Sequence, residues 1–365
     1  MEEFIQLLHQ DTFDKILPEL RKSYSDLRKC DYPILPQFLA IVYMKLCKIK
    51  YLSTLYRKLS ADGCKLAERF GFERENGKVN LPSYNNFWFF AKVRFCEDKI
   101  DGISEVILSE LKKELHLRGA ELGKNTAHDG FVIRAHDKGA VYNGHYETTM
   151  YKGEMGFDLD LMVPIYGSAT TGTDYDGNYV VPFVEKLDRV EDKGRVMYLD
   201  GHYASLANFA VLNHVHKIRT VMNIPQDQRI ISDEGSQENI DKWYQSFHEK
   251  EDFVVNANID YKLSLLLKYD RVEEIGYYYR NRYVEEYLHN KEAYEKEYHM
   301  RSLEESANNL SKNGLVDMEN ASNGTGLRNR NLHVKMCILS MQLVALIRAQ
   351  RGRVAKLTSV ENIAC

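Results

Sequence analysis

Asp129, Asp200 and Glu305 are the residues of this chain whose types and placement could do metal chemistry. Two divalent cations roughly 4 Å apart can clamp the attacking and leaving oxygens of a phosphodiester. Hard cations such as Mg²⁺ take oxygen ligands and favour carboxylates. A site of that kind needs two or three Asp or Glu brought together from separate elements. Asp129 lies in AHDGFVIRAH, which reads as a first strand. Asp200 ends the buried-type strand GRVMYLD, directly before Gly201, whose missing side chain would leave room for a ligand's backbone. Glu305 lies on RSLEESANNLSKNG, a helix stopped by Gly314, which could close the site across the sheet edge. Asp137 is the alternative first Asp. With 53 acidic residues in the chain, no one of these positions is specific alone.

The spacing around Glu305 is more specific. YHMRSLEESANNLSK holds Tyr298, Arg301, Glu305 and Lys312 in the order Y-x2-R-x3-E-x6-K. Arg301 and Glu305 are four apart, and Glu305 and Lys312 seven, so a helix puts them on one face. Cations beside the carboxylate could grip phosphate and keep it ionised. Tyr298 lies three residues before Arg301, where its hydroxyl could also reach a phosphate. An upstream run, Tyr279, Arg282 and Glu286, shares the first three spacings but has Ala293 at the fourth. The competing explanation is a solvated helix face laced by ion pairs.

In those four positions the chain resembles the DDE transposases of bacterial and archaeal insertion sequences that carry the YREK signature. DGHYASLANFAVL is similar to the family's second-Asp motif. LPSYNNFWFFAKVRF resembles the segment ahead of the catalytic domain, and the closing helix after Arg328 resembles the family's ending. The resemblance implies a ribonuclease H-like catalytic core and two Mg²⁺ ions, replaceable by Mn²⁺, on Asp129, Asp200 and Glu305. It implies Tyr298, Arg301 and Lys312 as DNA contacts, and double-stranded DNA as partner, both element ends and target, handled by a homodimer. In GFDLDLM, Asp158 and Asp160 replace residues that are often Lys and His in the family, and would repel phosphate if they faced the site.

The elements that must position these residues follow from periodicity. Residues 1–120 read as helical, with apolar residues at helical spacing and Lys and Arg between them, compatible with DNA binding or dimerisation. Residues 121–224 and 298–350 read as the α/β catalytic part, including one strongly alternating strand through Phe157, Leu159 and Leu161. Residues 225–297 are charged and Tyr-rich and read as a mainly helical insertion. Trp243 lies there, and a core position is its plainer reading. Tyr277, Tyr278 and Tyr279 read as a half-buried helical stripe.

The bulk numbers permit this organisation. The 365 residues are 44% hydrophobic and 28% charged, with 24 Tyr and only 7 Pro. The net charge of −4 argues weakly against nucleic acid, but basic residues gather at Lys45–Lys58 and Arg328–Lys356 while acids gather at Asp233–Asp252. His128, His136 and His145 follow no zinc spacing, and six scattered cysteines without a C-x-x-C pair suggest neither zinc nor a disulfide framework. The acidic amphipathic start is unlike a secretory leader, and no spanning helix is expected, so the protein reads as cytoplasmic.

Overall fold

The computed structural model describes residues 10–22, 32–174, 176–187, 195–225, 272–320 and 324–359. Trp243 and the acidic run at 233–252 lie outside these residues. Two layers build the fold, a helical layer from the first third of the chain and an α/β layer that follows it.

The first layer comprises α1 (Gln10–Arg21), α2 (Ile34–Leu46), α3 (Leu52–Ser60), α4 (Lys65–Arg69), a small hairpin of β1 (Arg74–Glu75) and β2 (Lys78–Val79), α5 (Tyr84–Phe89) and α6 (Glu97–His116). Ser83 caps α5 by accepting from the Asn86 N–H, as a Pro-Ser turn ahead of a helix favours. α5 continues as a wide π turn through Phe90–Arg94.

The second layer is a six-stranded sheet: β3 (Asn125–Arg134), β4 (Val141–Asn143), β5 (Thr148–Asp158), β6 (Val163–Thr171), β7 (Val196–Leu199) and β8 (Arg219–Met222). β6, β5 and β3 are antiparallel, and β3, β7 and β8 are parallel, with β4 pairing the start of β5. α7 (Val180–Leu187) falls between β6 and β7 in the chain, and α8 (Leu206–Phe209, extended by a π turn to Val215) between β7 and β8. Two glycines of β5 admit aromatic rings that any side chain would exclude. A Cβ at Gly153 would meet the Phe131 ring at 2.2 Å, and one at Gly156 the Phe183 ring at 2.4 Å.

The segment GFDLDLMVPIYG, expected as one alternating strand, is instead a hairpin. β5 stops at Asp158, and β6 begins at Val163. The buried Asp158 carboxylate accepts the N–H groups of Gly123 (2.6 Å) and Leu161 (2.7 Å), and Met162 takes a left-handed φ of 58°. A side chain that holds its own downstream backbone competes with strand continuation. Asp158 is thereby committed to the hairpin, and Asp160 accepts from the Asn125 amide.

α9 (Val272–His289) and α10 (Lys291–Tyr298) fall in the stretch read as an insertion, yet they dock on the parallel strands. Gly276 lets α9 approach the Leu206 carbonyl, where a Cβ would sit at 2.4 Å. The Tyr283 hydroxyl joins the Thr220 N–H to the Asn213 amide, and the Tyr294 hydroxyl meets both backbone groups of Met222. A 3-10 turn (His299–Arg301) leads into α11 (Ser302–Asn309), which widens into a π turn at Leu310–Gly314. The last helix, α12 (Leu327–Gln350), is long and apolar enough to cross a membrane, contrary to the composition reading, but it is buried between the layers. It packs on α2, α6 and β6, and one hydrophobic core runs through both layers. Ser104 of α6 donates to Gln342 of α12 at 2.8 Å, and Gln342 donates to the Pro164 carbonyl of β6 at 3.0 Å. The helices of residues 1–120 and the sheet are thus joined through one buried helix.

The ring-over-glycine packing gives a direct test. Gly156→Ala is expected to lower stability by about 1–3 kcal/mol through overpacking, measured by denaturant unfolding. Adding Phe183→Leu should recover part of that loss; no loss on Gly156→Ala would contradict the packing of α7 on β5.

Candidate active site

The two central strands set the first pair of acids. β3 and β7 are parallel, with Ala127 opposite Tyr198. Continued two residues, that register brings Asp129 level with Asp200, which retains extended backbone just past β7. Level residues on neighbouring strands share a face about 5 Å apart. Gly201 follows, and its missing side chain makes room for the Asn223 carbonyl, which a Cβ would meet at 2.5 Å. The expected role of Gly201 in admitting a ligand is therefore replaced by a close approach of the protein's own backbone.

α11 closes the site from across the sheet. Glu304, Ala307, Asn308 and Ser311 form its buried stripe, at the i, i+3, i+4, i+7 spacing of a helix face. Asn308 donates its amide to Asp129 at 3.1 Å. Arg301 bonds Asp200 at 3.0 Å and its Nε lies 3.3 Å from a Glu304 oxygen, though not aligned for a hydrogen bond. Glu304 is only 2% exposed, and both its carboxylate oxygens lack a hydrogen-bond partner among the described residues.

The structure therefore brings Asp129, Asp200 and Arg301 together. Glu305 sits one residue further round the helix and is exposed, while Glu304 faces the acidic pair. Lys312, half-buried in the π turn, is near enough to draw the Asp129 pKa down, and Tyr298 is half-buried beside Arg301. Asp137 is elsewhere: it accepts from Tyr151, Arg330 and the Gly326 N–H, anchoring the start of α12. The upstream Tyr-Arg-Glu run is structural, because Glu286 makes a two-pronged pair with Arg219 of β8 at 2.8 and 2.9 Å.

Burial dominates the electrostatics. It raises the Asp129 pKa above the ordinary carboxylate range, with Arg301 opposing and Asp200 adding to the shift. It pushes Glu304 well above that range, with Asp129 reinforcing and Arg301 opposing. A fourth carboxylate, Glu154 of β5, stands opposite Gly130 in the strand register. It is fully buried, and burial raises it to about 8 against the pull of Lys152. Tyr203 bonds the His128 Nδ1 at 3.1 Å, and burial lowers His128 to about 3, so this imidazole is neutral.

Several acids around one guanidinium, with Glu304 buried, form a host for positive charge. Unpartnered buried oxygens on Glu304, beside Asp129 and Asp200, are the hard donors a divalent cation takes. As arranged, no three His, Cys, Asp or Glu side chains among the described residues are grouped to hold an ion together. Glu304, Asn308 and Glu154 escaped the sequence reading. The stripe through Ala307 and Ser311 was the available signal, and the exposed Leu303 obscured it.

Residues 123–303 match the family model described as the transposase DDE domain, which supports a DDE transposase family. The match spans Asp129, Asp200 and Arg301 and stops just short of Glu304. A solved piggyBac transposase synaptic complex with hairpin DNA is similar over 62% of this chain, at 16% identity and a TM-score of 0.31. The chain spans about half the length of that protein, 49%. No curated protein matches.

Glu154 supplies a pH test. Its folded-state pKa of about 8 exceeds the ordinary value of 4.5, so the folded protein keeps a proton that the unfolded chain releases. Its contribution is fully present below 4.5 and is lost as pH rises toward 8. Glu154→Gln should flatten the fall in melting temperature across that window; an unchanged profile would contradict a buried, proton-holding Glu154.

Proposed function

We propose that this chain, with a transposase DDE domain over residues 123–303, binds the ends of a DNA element and catalyses their cleavage and strand transfer. The observation that supports it most is the convergence of Asp129, Asp200, Arg301 and Glu304 on one face of the sheet, with no hydrogen bond to the Glu304 oxygens among the described residues. The strand order, three antiparallel strands followed by two parallel ones with the acids on the central pair, supports a ribonuclease H-like reading of the core. The Tyr298, Arg301, Glu305 and Lys312 spacing supports placing it with the YREK insertion-sequence enzymes, acting in a prokaryotic cytoplasm as a dimer that handles two DNA ends.

Asp129 and Asp200 are proposed to hold two Mg²⁺ ions together with a carboxylate of α11. Geometry favours Glu304, and motif spacing favours Glu305. Bound cations would supply Lewis-acid polarisation of the phosphodiester. The chain's own residues do the rest. Asn308 fixes the rotamer of Asp129 by donating to one oxygen. Arg301 neutralises the acids in the protein alone and is placed to turn toward a phosphate when DNA enters. Lys312 adds a second positive charge at the rim. Water opens the phosphodiester at the element end, and the freed 3′ hydroxyl then attacks the opposite strand or the target.

Labelled end duplex incubated with Mg²⁺ tests this reading. Wild type should cut and join, and excess chelator should stop both. Asp200→Asn and Glu304→Gln should cut at least ~100-fold more slowly with end binding nearly intact, because DNA affinity comes mainly from basic contacts elsewhere. Glu305→Gln should retain most activity. A dead Glu305→Gln with an active Glu304→Gln would return the ligand role to the motif position, and full cleavage in chelator would overturn the proposal.

A further inference from the structure

The helical layer presents a second feature that the catalytic reading leaves unused. α5 and its π turn expose aromatic and apolar side chains: Tyr84, Trp88 (44%), Phe89 (44%) and Val93. Large aromatics are normally buried, and several on one short helix mark a contact surface. Basic groups are interleaved with them. The Arg94 guanidinium lies over the Phe89 ring at 5.2 Å, and Lys92 follows Trp88 by one turn.

Lys92 enters a crevice of about 40 Å³ between α2, α3, α5 and α12, where Lys45 and His333 also line the wall. Lys45 approaches the His333 Nδ1 at 2.7 Å. Lys92 has no hydrogen-bond or ion-pair partner among the described residues. Burial lowers its pKa, and Lys45 and Arg330 lower it further by repulsion. Lys45 is bonded to His333 and Arg330 to Asp137, so the half-buried Lys92 is the group at this crevice placed to meet an anion from outside.

The crevice is also tied to the active site. Lys48, at the end of α2, donates to the carbonyl of Asn313, the residue after Lys312. His333 reaches the Asp317 carbonyl at 3.0 Å, in the same segment. The segment that follows Lys312 is therefore held by Lys48 of the α2 end and by His333 of the crevice wall, and the exposed Trp88 lies four residues before Lys92.

We propose that the α5 surface is a seat for an unpaired DNA strand, with Lys92 at the mouth of the crevice holding a backbone phosphate and Trp88 stacking on a base. A polymer of anions bearing flat faces matches alternating cations and aromatics. A half-exposed indole reaches the face of a base within a strand only after that base has left its stack, so the expected ligand is single-stranded, such as the strand freed when an element end is opened. The proposal rests on the transposase reading for its choice of DNA, and the test separates the two.

The chain has two tryptophans, so Trp243→Phe in the full-length protein isolates the Trp88 signal. This protein is titrated in chelator, where no cleavage occurs, with oligo(dT), a blunt duplex of equal length, and anionic lipid vesicles. Trp88 emission should be quenched by oligo(dT) and much less by the duplex or the vesicles. Trp88→Ala should weaken oligo(dT) binding by about 5- to 150-fold, and Trp88→Phe should keep most of it. Lys92→Gln should reduce the slope of log affinity against log salt by about 0.7. Unchanged oligo(dT) affinity in both Trp88→Ala and Lys92→Gln overturns the inference, as does quenching by vesicles alone or by self-association with rising protein concentration. Should Trp88→Ala fail to fold, Lys92→Gln and Trp88→Phe decide. End cleavage by wild type is assayed in parallel: loss of cleavage with oligo(dT) binding intact would sink the transposase reading and leave the strand seat standing.

Discussion

Arg301 bonds Asp200 at 3.0 Å and stands 3.3 Å from Glu304, and these contacts set one guanidinium among acidic groups of which Glu304 is buried and Asp129 half-buried. A buried carboxylate without a counter-charge destabilises a fold by several kcal/mol, on the order of 3–5. Here Asp129 and Glu304 are both displaced from ordinary titration by burial and by one another. One guanidinium is a partial remedy, since its Nε is not aligned for a hydrogen bond and the Glu304 oxygens accept none among the described residues. The rest of the molecule can be understood as the means of holding that unfavourable cluster in place.

The means are mostly apolar. β3 and β7 are central strands whose register sets Asp129 level with Asp200. α9 and α10 clamp the far side of β8 through tyrosine hydroxyls that satisfy its backbone, and α12 joins the sheet to the helical layer. α11 is short and bounded by a 3-10 turn on one side and a π turn on the other. Such irregular turns often mark functional positions. They also alter the angular spacing along the helical run, so residues counted on a regular 3.6 repeat can be displaced on its surface.

How far the sequence shows the site depends on how regular and how apolar each element is. Asp129 and Asp200 were legible because each sits at a strand with a clear apolar pattern, and strand periodicity is rigid. Arg301 was legible through its spacing from Tyr298 and Lys312. Glu304 was not, because Leu303 and Leu310 suggest one apolar stripe while the small residues Ala307 and Ser311 form the buried one. The β5–β6 hairpin was hidden for a similar reason. Alternation through Phe157, Leu159 and Leu161 imitates a continuous strand, whereas the turn depends on a side-chain bond from Asp158 that no periodicity encodes. Glu154 belongs to a buried polar cluster, and such groups carry no regular sequence signal.

If Asp129, Asp200 and the α11 carboxylate form a cation site, the protein binds a divalent ion whether or not it cuts DNA. Mn²⁺ titrated into the protein and followed by electron paramagnetic resonance reports free and bound ion directly. Wild type is expected to retain Mn²⁺, with binding strengthened by end duplex. Asp129→Asn combined with Asp200→Asn should abolish retention while the fold, checked by circular dichroism, persists. Equal Mn²⁺ retention by wild type and the double variant would contradict the account.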